Sequence, residues 1–254
     1  MTLGAAGAVA YQSVGEDQID PRPVLIVTGL VQEARIAAGP GMIVICSSSD
    51  PMQLRALLAT LDSSTFRGVI SFGVAGGLDP SLKTGDVVVA TEVMAGDTRF
   101  LADMALNEET IASATLTRWS PTRRRRVVRG GLYGVERVVA ASACKAALHS
   151  ETGAAAVDME SHIAAAYAAN AGLPFAALRV ISDPAHRALP DMAQCAIKPN
   201  GDIDLRRIMR GVARNPGSLR ALVSAGIDFN RALWSLRGCR GFLMDQDGFA
   251  PASA

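Results

Sequence analysis

The sequence contains no Cys-x-x-Cys pair and no local cluster of cysteine and histidine. Its four cysteines, Cys46, Cys144, Cys195 and Cys239, are scattered. That spacing argues against a metal site or a disulfide framework and in favour of a reducing compartment. No run of 18 apolar residues occurs, so no helix is expected to span a membrane. Met1 to Ala10 is small and apolar but lacks the basic start and the Leu-rich core of a secretory signal, which makes the cytoplasm the expected location. A large charge of either sign is also missing: the formal net charge is +1, and nothing global points to nucleic acid. A Gly-x-Gly-x-x-Gly fingerprint is absent, which argues against a dinucleotide-dependent oxidoreductase, and no Gly-Lys-Ser/Thr follows a glycine-rich loop, so there is no P-loop. Internal repeats are absent, and the one low-complexity run, Arg123 to Arg126, reads as an exposed loop.

What remains is a globular composition, 254 residues with 49% hydrophobic and 19% charged, long enough for a large core. Residues 1–22 read as a loose arm, 23–200 as the main domain and 201–254 as a basic, amphipathic helical extension. Short continuous apolar runs at Val24–Val27, Met42–Cys46, Gly68–Phe72, Asp86–Ala90 and Pro174–Ile181 read as buried strands. Residues near 125–140 carry one or two more. Asp50 with Pro51 marks a helix start, and Glu160–Ala171 is an Ala-rich helix closed by Gly172. Strands interleaved with helices predict an α/β fold, a mainly parallel or mixed sheet covered on both faces. Ligands of such sheets collect at the carboxyl ends of strands. Gly29, Gly73–Gly77 and Asp183 all fall at predicted strand ends.

Four short segments can carry chemistry, and each has a plainer reading. Gly73-Val74-Ala75-Gly76-Gly77 reads as a turn whose glycines admit positive φ or a closely approaching ligand; it is equally a structural turn. In Val157-Asp158-Met159-Glu160 a carboxylate can accept both hydroxyls of a ribose, while the plainer reading is helix capping. Asp183, after an apolar strand, can hold a proton through desolvation and act as a general acid, or can simply cap a turn. Glu33 can orient a nucleophilic water, or be a solvated first-turn glutamate.

Together these segments resemble the nucleoside phosphorylase superfamily on the side of the methylthioadenosine/adenosylhomocysteine nucleosidases. The anchors occur in the family's order: Gly29 with Glu33, Phe72 to Leu78, Val157 to Glu160, and Arg179 to Asp183. Closer still is the similarity to the hopanoid-associated phosphorylases, carried by Val24–Gly29, Glu33–Gly41 and Ala176–Pro190. The resemblance implies a three-layer α/β/α nucleoside-phosphorylase-like fold with a central mixed twisted sheet. It implies cleavage of a purine N-glycosidic bond, with release of adenine from adenosylhopane. It also implies that Asp183 protonates N7, that Glu33 serves the nucleophile, that Glu160 holds the ribose hydroxyls with Met159 against the sugar, and that Val74, Gly76 and Gly77 line the sugar or nucleophile side. No cofactor is implied beyond inorganic phosphate as a co-substrate, and a homo-oligomer is. Val74 stands where nucleosidases commonly carry a small hydroxyl residue, which leaves water and phosphate both open as the nucleophile.

From Asp202 to Arg240 there are eight arginines against three aspartates, with Ile203, Leu205, Ile208, Met209, Val212, Leu219 and Leu222 between them. An amphipathic helix pair packed on the domain explains this pattern; so does a basic face resting on anionic lipid, as a membrane-borne nucleoside would require. A non-catalytic nucleoside-binding or scaffolding protein on the same fold is the rival from another class. Pure binding does not need Asp183 and Glu33 together.

Overall fold

The structure is a computed structural model, and it describes residues 20–103, 126–190, 217 and 219–244. The expected arm lies outside the described residues up to position 19. So do Arg123 to Arg125 and the apolar positions between 203 and 212.

The apolar runs form the strands they predict. They are β1 (Val24–Thr28), β2 (Met42–Cys46), β3 (Gly68–Gly77), β4 (Val87–Ala95) and β8 (Phe175–Asp183). Between β4 and β8 come β5 (Thr98–Leu101), β6 (Val127–Gly134) and β7 (Ala156–Asp158). The helices are α1 (Val31–Ala37), α2 (Pro51–Ala59), α3 (Ser142–Thr152), α4 (Ser161–Ala171), α5 (Leu219–Arg237) and α6 (Arg240–Met244). Asp50 caps α2 as expected, Oδ1 accepting from the amides of Met52 and Gln53. Gly172 ends α4 in the left-handed conformation, φ +64°.

The sheet is mixed, as expected, but it also closes on itself. β3 pairs with β8 in parallel, β8 with β4 antiparallel, β4 with β6 in parallel, β6 with β7 in parallel, and β7 returns antiparallel to β3. β1 and β2 extend the sheet beyond β3 in parallel register. Successive residues of β8 serve opposite faces. Phe175, Ala177 and Ile181 join a core shared with α2 and α4, while Ala176, Leu178 and Val180 join one shared with α1, α5 and α6. That double burial explains the apolar run, broken only by Arg179 and the polar end at Ser182, and gives the three-layer α/β/α arrangement.

One reading changes, and the choice left open for the C-terminal helix is decided in favour of packing on the domain. The segment Gly73–Gly77 is the second half of β3, not a turn: it pairs with β8 from Arg179 to Asp183, with a register shift at Ala75/Gly76. Its glycines are there for close approach. A Cβ on Gly73 would sit 2.5 Å from Arg179 Nη1 and 2.7 Å from Glu33 Oε1. The described part of the C-terminal region, in turn, belongs to the core. Ala232, Leu233 and Leu236 of α5 pack with Ile26, Phe72 and Leu178 of the sheet, as do Cys239, Phe242 and Leu243. Leu236→Ala, at a fully buried position, is therefore expected to cost about 2–5 kcal/mol in urea unfolding. A cost under about 0.5 kcal/mol, typical of a surface site, would show α5 to be an appendage.

Candidate functional site

Arg179 interrupts the apolar run of β8 and has no solvent exposure. Opposite it in register on β3 is Gly73, which leaves room for the guanidinium. Its Nε pairs with Asp158 Oδ2 and its Nη2 lies 3.7 Å from Glu160 Oε2. Nη2 also donates to Ser71 Oγ at 2.7 Å and to Ser161 Oγ at 3.1 Å. Among the described residues Nη1 finds no hydrogen-bond partner. Four elements, β3, β7, β8 and the start of α4, thus meet around one cation.

Glu33 is buried beside this group, and its carboxylate is fully engaged by backbone. Oε2 accepts from the amides of Gly29 (2.8 Å) and Leu30 (2.9 Å), and Oε1 from Val74 (2.7 Å). It fastens the end of β1 to the end of β3. Burial pushes the Glu33 carboxyl above its ordinary value, while Arg179 and the three amides pull it back. Glu33 stands behind the cavity wall and is not among the residues that line it.

Glu160 is the N-cap residue of α4, yet its side chain makes no capping bond. Asp158 takes that place instead, accepting from the Ser161 amide at 3.3 Å and from its hydroxyl. The Glu160 carboxyl turns toward Ser47 Oγ (3.4 Å) and toward Gly29, where a Cβ would lie 2.6 Å from Oε1. Burial, with Asp158 and Glu33 adding like charge, pushes it up to about 8 against the pull of Arg179.

Asp183 ends β8. Its Oδ1 accepts from Ser182 Oγ at 2.6 Å, and its Oδ2 from Lys145 Nζ at 2.5 Å. Burial raises this carboxyl too, and the Lys145 ion pair and the Ser182 hydroxyl offset part of that rise.

Glu160, Met159, Asp183, Val74 and Gly76 all line one cavity of about 300 Å³. Gly77 does not: a Cβ there would meet Ile181 and Pro184. Around the carboxyl groups the walls are apolar, built from Leu30, Val135, Val138, Val139 and Leu189, and α5 closes one side with Leu222 and Phe229. From the sequence, Arg179 and Lys145 had no role of their own, Asp158 was only a candidate cap, and the C-terminal helix was not placed beside the site. An arginine inside an otherwise apolar strand was a signal for the first; Lys145, in a short helix between alanines and Cys144, carried none.

This geometry defines a class: an α/β protein whose buried carboxyl groups meet a largely apolar pocket at the ends of its strands. The chain belongs to the phosphorylase superfamily, whose model matches residues 21–198. No curated protein matches the sequence. Among solved structures it is similar to the 5′-methylthioadenosine/S-adenosylhomocysteine nucleosidase of Neisseria meningitidis in complex with methylthio-immucillin-A. The identity is 19%, the match covers 88% of this chain and 98% of that one, and the TM-score is 0.63. It is similar to the same extent to futalosine hydrolase of Helicobacter pylori (17% identity, 89% and 98% covered, TM-score 0.63). The Helicobacter pylori 5′-methylthioadenosine/S-adenosylhomocysteine nucleosidase with butyl-thio-DADMe-Immucillin-A also shares the fold (18% identity, 89% and 97% covered, TM-score 0.60).

The raised Glu160 carboxyl has a consequence for stability. In the folded protein it holds a proton that the unfolded chain gives up near 4.5, so its contribution is present below that value and is lost as pH rises through about 8. Melting temperature is expected to fall across this window, and Glu160→Gln should flatten the fall, Glu33 and Asp183 accounting for what remains. An unchanged slope in the variant would mean that Glu160 is ionised in the free protein.

Proposed function

We propose that the protein cleaves the N-glycosidic bond of a purine nucleoside. The observation that carries this reading is that Glu160 and Asp183, from two different strand ends, face the same cavity. Glu160 is the group for the ribose hydroxyls. Two hydroxyl donors favour its ionised form, so nucleoside binding displaces its proton, and the resulting carboxylate stabilises positive charge developing at C1′. Asp183 is the acid, its proton passing to N7 as the base departs. Glu33 acts from behind the wall: it holds the Val74 amide and so fixes the β3 edge of the site on the side of the incoming nucleophile. Arg179, buried behind the same wall, adds positive charge on that side, which suits water or inorganic phosphate as the nucleophile.

The finer reading is that the nucleoside is adenosylhopane, with adenine as the released base. Its support is the apolar wall of Val138, Val139, Leu189, Leu222 and Phe229. A cavity of about 300 Å³ holds a nucleoside and no pentacyclic hydrocarbon beside it, so the lipid must project past α5. That helix presents Leu219, Val223, Ile227 and Trp234 to solvent on one stripe, each about half exposed, beside Arg220, Arg231 and Arg237. The stripe suits peripheral contact with anionic lipid, the arginines at headgroup level. No described helix is long and apolar enough to cross a membrane.

Incubation with adenosylhopane, methylthioadenosine and inosine, each with and without phosphate, should release free base from at least one nucleoside, fastest from adenosylhopane. No base from any of them would end the enzymatic reading, and dependence on phosphate identifies the nucleophile. Asp183→Asn should lower the rate roughly 10²- to 10⁴-fold; full activity in that variant would refute Asp183 as the acid. Anionic vesicles should bind the protein in a salt-sensitive way, and Ile227→Asp with Trp234→Asp should abolish that binding while leaving the fold intact. Wild type that ignores such vesicles would rule out the lipid contact.

A further inference from the structure

Lys145 of α3 has no solvent exposure, which is rare for a lysine unless it is paired. Its Nζ is surrounded by acceptors alone: Asp183 Oδ2 at 2.5 Å, and the carbonyls of Asp183 (3.3 Å), Pro184 (3.3 Å) and Arg187 (3.1 Å). Such a cage fits an ammonium, which only donates. Ser182 Oγ lies between Asp183 Oδ1 (2.6 Å) and the Ala75 carbonyl (3.2 Å). A hydroxyl that donates to the carbonyl can accept a proton-bearing Oδ1 in turn.

We propose that Lys145 is the positioning residue of the proton-delivery step: its ammonium occupies Oδ2 of Asp183, so that Oδ1 carries the proton given to the leaving base. The proposal rests on the glycosidic-cleavage reading above. In that step the C1′–N9 bond breaks and its electron pair goes to the base. The proton leaves Oδ1 for N7, and the nucleophile's oxygen bonds to C1′. When the nucleophile is water, the proton it sheds returns through solvent to Asp183 once the products have left. The carboxylate formed in the transfer appears beside an ammonium already in place, which makes the transfer easier without reorganisation. The same cation grips three carbonyls of the loop after β8, and with them the stretch that carries Arg187 to its ion pair with Asp228 on α5.

The charged groups sharing the cavity with Asp183 are Arg187, Asp228, Asp158 and Glu160. His149, one turn along α3 from Lys145, is turned to the Ala154 carbonyl at 2.8 Å. Lys145 and Ser182 are the partners in direct contact with the acid. Removing the lysine therefore leaves a buried carboxyl that holds its proton more tightly and gives it up less readily.

The test compares an adenine nucleoside with 4-nitrophenyl β-ribofuranoside, whose leaving group departs without a proton. Lys145→Met should slow adenine release roughly 10²-fold or more while leaving nitrophenolate release within a few-fold, and should move the alkaline limb of kcat/KM for the nucleoside to higher pH. Lys145→Gln, which keeps donors for the carbonyls without the charge, should show the same pattern and serves if the methionine variant does not fold. Equal loss on both substrates, or an unmoved limb, would overturn the proposal by reducing Lys145 to a structural role. A limb moved to lower pH would overturn it as well, since the lysine would then be the proton's source. Neutron diffraction on the wild type needs no substitution: three deuterons on Nζ and one on Oδ1 are expected, and a deuteron on Oδ2 would contradict the assignment. A wild type that cleaves neither substrate defeats the functional reading itself, whereas an active wild type with equal losses defeats the Lys145 proposal alone.

Discussion

The guanidinium of Arg179 lies without solvent among the carboxyl groups of Asp158, Glu160 and Glu33, and the rest of the site follows from that imbalance. One cation faces three acids. Asp158 takes the tightest share, through a direct pair with Nε and through the hydroxyl of Ser161. Glu33 is satisfied by backbone amides. Glu160 is left with the weakest claim on the cation and a single serine at 3.4 Å, and its carboxyl rises to about 8 and looks into the cavity. Taking such charges out of water is costly, and an arrangement that leaves one of them undersatisfied persists where a ligand completes it.

Backbone geometry makes the arrangement fit. Gly73 stands opposite Arg179 in the β3–β8 ladder, and any side chain there would strike the guanidinium and Glu33. Gly29 similarly clears the space into which Glu160 points. Closure of the sheet through β4, β6 and β7 brings β7 back against the end of β3, and this places Asp158 and Glu160 across from Asp183 in spite of their separation along the chain. A second buried cation, Lys145, meets Asp183 from α3, while Glu160 has only a share of Arg179.

Much of this was legible in the sequence because burial on both faces of a sheet leaves a plain mark. The runs at Val24, Gly68 and Phe175 read as interior strands, and of the residues picked out in order along the chain Val74, Gly76, Glu160 and Asp183 come to one cavity, with Glu33 behind its wall. The glycine segment misled, since Gly-rich stretches suggest turns, whereas here the missing side chains make room for Arg179 and Glu33 within a strand. Asp158 and Glu160 were indistinguishable as caps; only the turn between β7 and α4 decides which of them bonds the helix end. Lys145 was silent, because a lysine on a short helix reads as solvated until the fold buries it. The C-terminal arginines drew attention to charge, while the apolar residues that seat α5 on the sheet and beside the cavity carried the structural meaning.

The account stands or falls on Glu160 as the group that holds the ribose hydroxyls. The direct measurement is a cycle of kcat/KM for an adenosine-type nucleoside and its 2′-deoxy counterpart, with the wild type and with Glu160→Gln. Hydrogen bonds to a charged acceptor predict that the wild type prefers the ribonucleoside by about 10- to 100-fold and that the variant loses most of this preference. An equal preference in both proteins would contradict the account and place the ribose elsewhere.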